Sequence, residues 1–310
     1  MDEGREIMNP RHYTIPIFIP QLACPFQCVF CNQEKITSRG HIPSISETRN
    51  TIEEYLSSFP KGKKHIEIGF FGGNFTGIPQ DEQEIFLQIA HSYLENGKIQ
   101  GIRLSTRPDY IDKKGLHLLQ RFGVTTIELG AQSLDDEVLK QCERGHSAKD
   151  IEMASQMITA AGFRLGLQMM IGLPGDSLDK AIFTAKKIIE LRAVETRIYP
   201  VLVIRGTKMA EWYEQGTYKP LSLGEAIDWL KELLPVFEAG PLSGTQNRRR
   251  YENIIIDSLV LSGDSGDRQA DDQCGEEPIF HNHGCKAVYE TKTRMQRCKF
   301  CPIHVKYLYK

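Results

Sequence analysis

Between residues 15 and 204, short runs rich in β-branched and aromatic residues alternate with longer stretches whose apolar residues recur at helical spacing. The strand-like runs are 15–19, 65–71, 101–107, 125–129, 163–171 and 196–204, and the helical stretches are 46–59, 81–94, 113–122, 135–142, 148–161 and 178–191. In the first helical stretch Ile52, Tyr55, Leu56 and Phe59 recur at that spacing, and Pro60-Lys61-Gly62 provides the stop. Strands exchanged so regularly with helices predict an α/β fold with a parallel sheet and right-handed crossovers. Such a sheet either lies open with helices on both faces or curls into a partial barrel, and alternation by itself admits both. Pro108 cannot continue a central ladder, which puts Ser105, Thr106 and Arg107 near the C-terminal edge of the third strand. That edge is where a βα barrel keeps its chemistry.

The first strand ends at Pro20 and runs into Cys24-Pro25-Phe26-Gln27-Cys28-Val29-Phe30-Cys31, three thiols within eight residues. Thiolate suits iron–sulfur clusters. A [4Fe–4S] cube has four iron corners, so a loop with three thiolates leaves one iron open. By analogy with catalytic metal sites, which keep a position free, that incompleteness points to chemistry rather than to a structural staple. Two other readings stay open on spacing alone. Zinc would need a fourth protein ligand, and the one close by in sequence is His41. A disulfide would need an oxidising compartment.

Composition narrows the setting. With 40% apolar and 25% charged residues in 310, the chain is ordinary for a soluble enzyme, and a formal net charge of -2 gives no global pull toward nucleic acid or anionic membrane. Residues 1–8 lack the apolar core of a signal peptide, and no run of about 18 apolar residues occurs. A cytoplasmic protein with no membrane partner is expected. Eight cysteines, three in one loop and four near the C-terminus, fit metal binding better than a disulfide framework.

The Cys-x3-Cys-x2-Cys spacing, with aromatic Phe30 before the last cysteine, resembles the cluster loop of the radical S-adenosylmethionine (SAM) superfamily. The likeness extends from about Thr14 to Phe237, and is stronger toward the Elp3-like branch than toward the oxygen-independent coproporphyrinogen oxidases. It is carried in order by Gly72-Gly73-Asn74-Phe75-Thr76-Gly77, Ser105-Thr106-Arg107-Pro108-Asp109, Glu128-Leu129-Gly130-Ala131-Gln132-Ser133, Arg144-Gly145-His146, Gly172-Leu173-Pro174-Gly175-Asp176 and Arg197-Ile198-Tyr199-Pro200. The resemblance implies a partial (β/α)6 TIM-like barrel core over residues 1–239, followed by an irregular extension over 240–310. It implies that Cys24, Cys28 and Cys31 hold a [4Fe–4S] cluster, whose open iron is chelated by the methionine part of SAM. Reduction would then split the sulfonium into methionine and a 5′-deoxyadenosyl radical.

Carried over position by position, the resemblance assigns Phe30, Gly72, Gly73, Asn74, Ser105, Gln132, Arg144 and Gln168 to the SAM site. The paired glycines allow positive φ and close approach of a ligand to the backbone, although an ordinary glycine turn explains them too. Asn74 stands where many relatives carry an acid. Ser105 replaces a usual Glu, and Gln168 an Asp of the coproporphyrinogen enzymes. Arg144 matches an arginine used near the SAM carboxylate, to which a guanidinium fork is suited. Gly172-Leu173-Pro174-Gly175 would turn the chain over the adenine side. His12 and His146 are read as structural histidines, and Met169-Met170 as barrel packing.

From Gly240 the alternation stops, and glycine- and charge-rich stretches read as loops. Cys274, Cys285, Cys298 and Cys301, with nearby histidines, could ligate zinc or a second cluster, but their spacing matches no finger or ferredoxin pattern. The expected function is a radical SAM enzyme acting on an unidentified substrate, a small molecule or RNA, with a reducing partner such as flavodoxin or ferredoxin. Likeness to Elp3 points toward tRNA, while the chain's length leaves no room for an acetyltransferase domain and its first residues form no basic arm. The alternatives are a coproporphyrinogen dehydrogenase-like enzyme, an iron–sulfur electron carrier without SAM chemistry, and a zinc-binding interaction module using the C-terminal cysteines.

Overall fold

Alternate residues of the six strand runs are apolar, and in the computed structural model they share one face of a single sheet. The structure describes residues 11–19, 28–32 and 41–239, with the backbone of 253–257 and 286–288. The strands are β1 (Arg11–Phe18), β2 (Lys64–Phe71), β3 (Gly101–Thr106), β4 (Thr126–Gln132), β5 (Arg164–Ile171) and β6 (Glu195–Pro200). Between and after them lie α1 (Ile45–Ser58), α2 (Gln80–Glu95), α3 (Lys113–Arg121), α4 (Asp136–Gln141), α5 (Ala148–Ala160), α6 (Leu178–Glu190), α7 (Lys208–Glu214) and α8 (Leu223–Ala239). The helices begin where side chains can receive their first amides. Ser44 and Glu47 form a capping box on α1, Ser147 and Asp150 one on α5, and Asp112 caps α3.

Each strand from β1 to β6 pairs in parallel with its successor, so spatial order equals chain order. An open doubly wound sheet would reverse that order at a switch point. Unbroken order with right-handed crossovers keeps the helices on one side and curls the sheet into a six-stranded half-barrel. β1 starts four residues before the expected run, and β6 stops at Pro200 rather than at residue 204. After Pro200 the pairing with β5 ends in one last bond, from the Val201 amide to the Ile171 carbonyl. Beyond residue 240, where an irregular extension was expected, the described backbone adds β7 (Asn253–Asp257), parallel to β6, and β8 (Lys286–Val288), antiparallel to β7.

The convex face carries the core. Ile15, Ile68, Ile102, Ile127 and Leu167 are fully buried in the cluster that also holds Ile52, Leu87, Leu119, Ile158 and Ile188 from the helices. Each such side chain contributes roughly 1.5–3 kcal/mol of burial. The concave face is polar: His65, Glu67, Arg103, Ser105, Glu128, Gln168, Glu195 and Arg197 hold the intervening positions. Gly101 and Gly166 make room for it, since a Cβ on Gly101 would lie 2.9 Å from Glu67 Oε1, and one on Gly166 3.1 Å from Glu195 Oε1. Among the described residues no helix is long and apolar enough to cross a membrane.

Candidate functional site

The C-terminal ends of the strands gather most of the expected site residues. Cys24 lies outside the described residues, so the geometry of the cysteine loop is that of residues 28–32. Cys28 and Cys31, neither in a disulfide, share one turn, closed by the Cys31 amide on the Cys28 carbonyl at 2.9 Å. The turn is held from both sides. The Val29 amide donates to the Cys142 carbonyl at 3.1 Å, and the Met209 amide donates to the Val29 carbonyl at 2.8 Å. Cys28, Val29 and Phe30 are buried with Val138, Cys142, Leu173, Val201 and Met209, an apolar seat separate from the main core. Phe30 therefore anchors the turn by packing.

Arg144 reaches this turn from the loop before α5. Its Nη1 lies 3.4 Å from Cys28 Sγ, and its Nη2 donates to the Gly130 carbonyl at 2.8 Å. Arg107 fixes it from behind, donating from Nη2 to the Arg144 carbonyl at 2.8 Å while gripping Asp109 through two bonds of 2.9 Å. The Arg144 side chain is buried, and its Nε has no hydrogen-bond partner among the described residues. A buried cation with a spare donor, beside uncrosslinked thiols, fits an anionic ligand at this spot.

Gln132 sits at a bulge in β4 with φ +67°. Its Oε1 accepts from Gln168 Nε2 at 3.2 Å, so these two expected SAM contacts are neighbours across β4 and β5. Ser105 lies one layer deeper and donates to Glu128 Oε1 at 2.9 Å. Glu128 in turn faces Arg197 Nε at 2.7 Å. Asn74 is turned into the body of the protein, where its Oδ1 accepts from Thr106 Oγ1 at 2.7 Å and from the Arg107 amide at 3.3 Å. Gly72 has φ +117°, and a Cβ there would fall on the Ile19 carbonyl oxygen. That glycine is required by the chain leading into the cysteine loop, whatever ligand approaches Gly73 (φ +143°) beside it.

The Gly172–Asp176 stretch closes on itself. Asp176 accepts from the Gly172 amide at 3.0 Å and the Ser177 amide at 2.8 Å, and the Tyr218 hydroxyl donates to the Gly172 carbonyl at 2.7 Å. Burial pushes the Asp176 carboxyl up to about 6 against those two amides. Cys142 was not singled out from the sequence. Burial, then the neighbouring Cys28 and Asp176, push its thiol up to about 12 against the pull of Arg144, so it stays protonated. A protonated thiol is a poor metal ligand. His146 is buried with neither ring nitrogen hydrogen-bonded among the described residues. Burial first, and the Arg144 and Arg107 cations after it, hold its pKa down to about 4.

Two groups were missed by sequence reasoning. One is the Arg107–Asp109 brace, whose residues stood in a quoted motif without a role. The other is the charged layer of Glu67, Arg103, Glu128, Glu195 and Arg197, whose one signal was charge at alternate positions of strand-like runs. Cys274, Cys285, Cys298 and Cys301 lie outside the described residues.

The model of the Radical SAM superfamily matches residues 18–188, and that of the Radical SAM C-terminal domain residues 194–240. A tRNA uridine(34) acetyltransferase of Methanocaldococcus infernus is 30% identical over 282 residues, covering 77% of this chain and 52% of that protein. Elongator complex protein 3 of Dictyostelium discoideum is 29% identical over 216 residues, covering 63% of this chain and 38% of its own. The solved Methanocaldococcus infernus Elp3 with an N-terminal deletion superposes with a TM-score of 0.59 at 25% identity, over 74% of this chain and 54% of that one. Escherichia coli coproporphyrinogen III oxidase shares the fold, with a TM-score of 0.52 at 18% identity over 74% of this chain and 53% of its own. The chain thus spans about half the length, or less, of these relatives.

Proposed function

Because the chain belongs to the radical SAM superfamily of enzymes, we propose that it cleaves SAM reductively and uses the product to abstract hydrogen from a substrate held in the polar hollow of the half-barrel. Cys24, Cys28 and Cys31 are the ligands we assign to a [4Fe–4S] cluster. When bound, that cluster supplies the electron that splits the SAM sulfonium into methionine and a 5′-deoxyadenosyl radical. The observation that carries the reading is the Cys28–Arg144 contact at 3.4 Å, which brings a buried cation to the cysteine turn at the mouth of the strands.

The chain's own residues then divide the work. Arg144, held by Gly130 and Arg107, presents a guanidinium fork to the SAM carboxylate. Gln132 and Gln168 offer neutral hydrogen-bonding groups beside it. The Gly73 backbone receives the methionyl amino group, and the Gly172–Asp176 turn covers the adenine side. Ser105 orders the inner wall by tethering Glu128, and Asn74 acts by bracing Thr106 and Arg107. The unit responsible is residues 1–239, and the segment after it lends β7 to the sheet beside β6. Three cysteines outside any disulfide among the described residues accord with a reducing, cytoplasmic setting and a flavodoxin- or ferredoxin-type electron donor.

The tRNA-modifying names of the relatives favour RNA as the substrate class over a porphyrinogen, whose enzyme shares only the fold. The test is anaerobic reconstitution with iron and sulfide, then addition of SAM and a low-potential reductant. We expect 5′-deoxyadenosine and methionine in equal amounts, abolished in Cys28→Ala. A cubane spectrum without either product would mark an electron carrier instead.

A further inference from the structure

At the other end of the strands from the cysteine turn, His12 of β1 and His65 of β2 are register partners, stacked with ring centroids 4.9 Å apart. Both turn Nε2 toward Glu67, His12 at 3.2 Å from one carboxylate oxygen and His65 at 3.5 Å from the other. One ligand atom from each residue lies within 4.8 Å of the other two. We propose that His12, His65 and Glu67 form a binding site for a divalent transition metal, zinc by its ligand chemistry, which clamps the edge strand β1 to β2. The seven residues from His12 to Phe18 span about 20 Å of strand, so this site is remote from the SAM site.

Two nitrogens and one carboxylate oxygen are ligands zinc takes at about 2.0–2.2 Å, with a fourth position left for water. Tetrahedral bonds of that length set the ligand atoms a little over 3 Å apart; the two nitrogen–oxygen distances seen are of that size, one to each carboxylate oxygen, and a single oxygen must serve both nitrogens. Closing the histidine pair is the remaining adjustment, and both rings are free to make it, being more than a third exposed at the rim.

The second observation is charge. The buried layer beneath holds three carboxylates, Glu67, Glu128 and Glu195, against two guanidiniums, Arg103 and Arg197. Arg103 is shared by all three acids, at 3.5 Å from Glu67 and from Glu128 and in contact with Glu195, so Glu67 holds only part of one cation. Arg11 and Lys64 take the alternate positions of β1 and β2 to His12 and His65, and among the described residues the next cation at the strand starts on the histidines' side of the sheet is Arg164 of β5, three strands away. Lys64, beside His65, is drawn off to the Pro60 carbonyl at 3.2 Å. A dication between the imidazoles supplies the missing positive charge where the sheet lacks it.

The test uses the full chain with its cluster reconstituted, exposed to zinc and passed through a desalting column, with iron and zinc counted by plasma mass spectrometry. We expect wild-type protein to retain one more zinc per chain than His12→Ala or His65→Ala at equal iron content. Zinc should raise the melting temperature of wild type and leave that of His65→Ala unmoved. A Cys298→Ser/Cys301→Ser variant should keep the wild-type-to-His65→Ala difference, which separates this site from zinc held by C-terminal thiols. Equal zinc in wild type and His65→Ala would overturn the proposal. Because the readout is metal count and melting, it is independent of SAM cleavage.

Discussion

Arg103→Met removes the cation shared by Glu67, Glu128 and Glu195 while keeping most of the side-chain volume. Arg103 is 2% exposed, and Glu128 is left with Arg197 and Ser105 while Glu195 loses its guanidinium. Breaking a buried ion pair by deleting one partner costs about 3–5 kcal/mol, because the remaining charge stays buried and uncompensated. For a unit of this size that corresponds to a fall in melting temperature of about 6–20 °C. Glu195→Gln in the Arg103→Met background should restore at least about 1 kcal/mol, since it neutralises one orphan. Scanning calorimetry of the three proteins at pH 8 measures both. If Arg103→Met melts within about 2 °C of wild type at pH 8, or Glu195→Gln restores nothing, Arg103 is space-filling and the charge argument fails.

Arg144→Lys loses the fork that holds both Cys28 and Gly130, so SAM binding should weaken about 10–100-fold with iron content retained, as equilibrium dialysis would show. Gly72→Ala meets the Ile19 backbone as well as a φ of +117°, and should lose more than about 2 kcal/mol and most of its cluster. Gly62→Ala, at φ +125° with open space around it, should keep its iron, and equal iron in the two variants would remove the packing argument. His146 falls from the usual 6.5 to about 4 because it is buried near Arg144 and Arg107. Between those values the unfolded chain takes the proton first, so folding stability drops as pH falls through that window, by on the order of 3 kcal/mol. His146→Leu should flatten that acid-side slope in urea titrations, and an unchanged slope would refute the assignment.

The strands were legible because their outward residues, such as Ile66, Ile68 and Phe70, follow the two-residue period and are buried by helices with their own apolar stripes. Their ends were less so. The β1 residues Arg11 and His12 are polar and exposed, so nothing in the apolar pattern signals that the strand has begun. In 201–204 the apolar pattern outlasts the ladder, since Val201 makes its last bond and turns its side chain against Met209 and the cysteine turn. The direction in which the sheet curls is carried by strand order, which local periodicity does not contain.

The same limit explains what was missed in the site. An alternating charge on a strand ordinarily reads as a face turned to water, and Glu67, Arg103, Glu128 and Arg197 each look like that in isolation. Only the curl brings them face to face across the hollow, with Gly101 and Gly166 leaving the space. Arg144 could be placed from its resemblance to a motif, but its partner Cys28 is 116 residues away and the brace that aims it comes from the Arg107-Pro108-Asp109 turn after β3. The proline that marked the end of that strand also begins the turn that lets Arg107 fold back onto Asp109 and reach the Arg144 carbonyl. One residue read as a breaker thus sets the aim of a cation in the next crossover, and replacing Pro108 should disturb Arg144 before it disturbs β3.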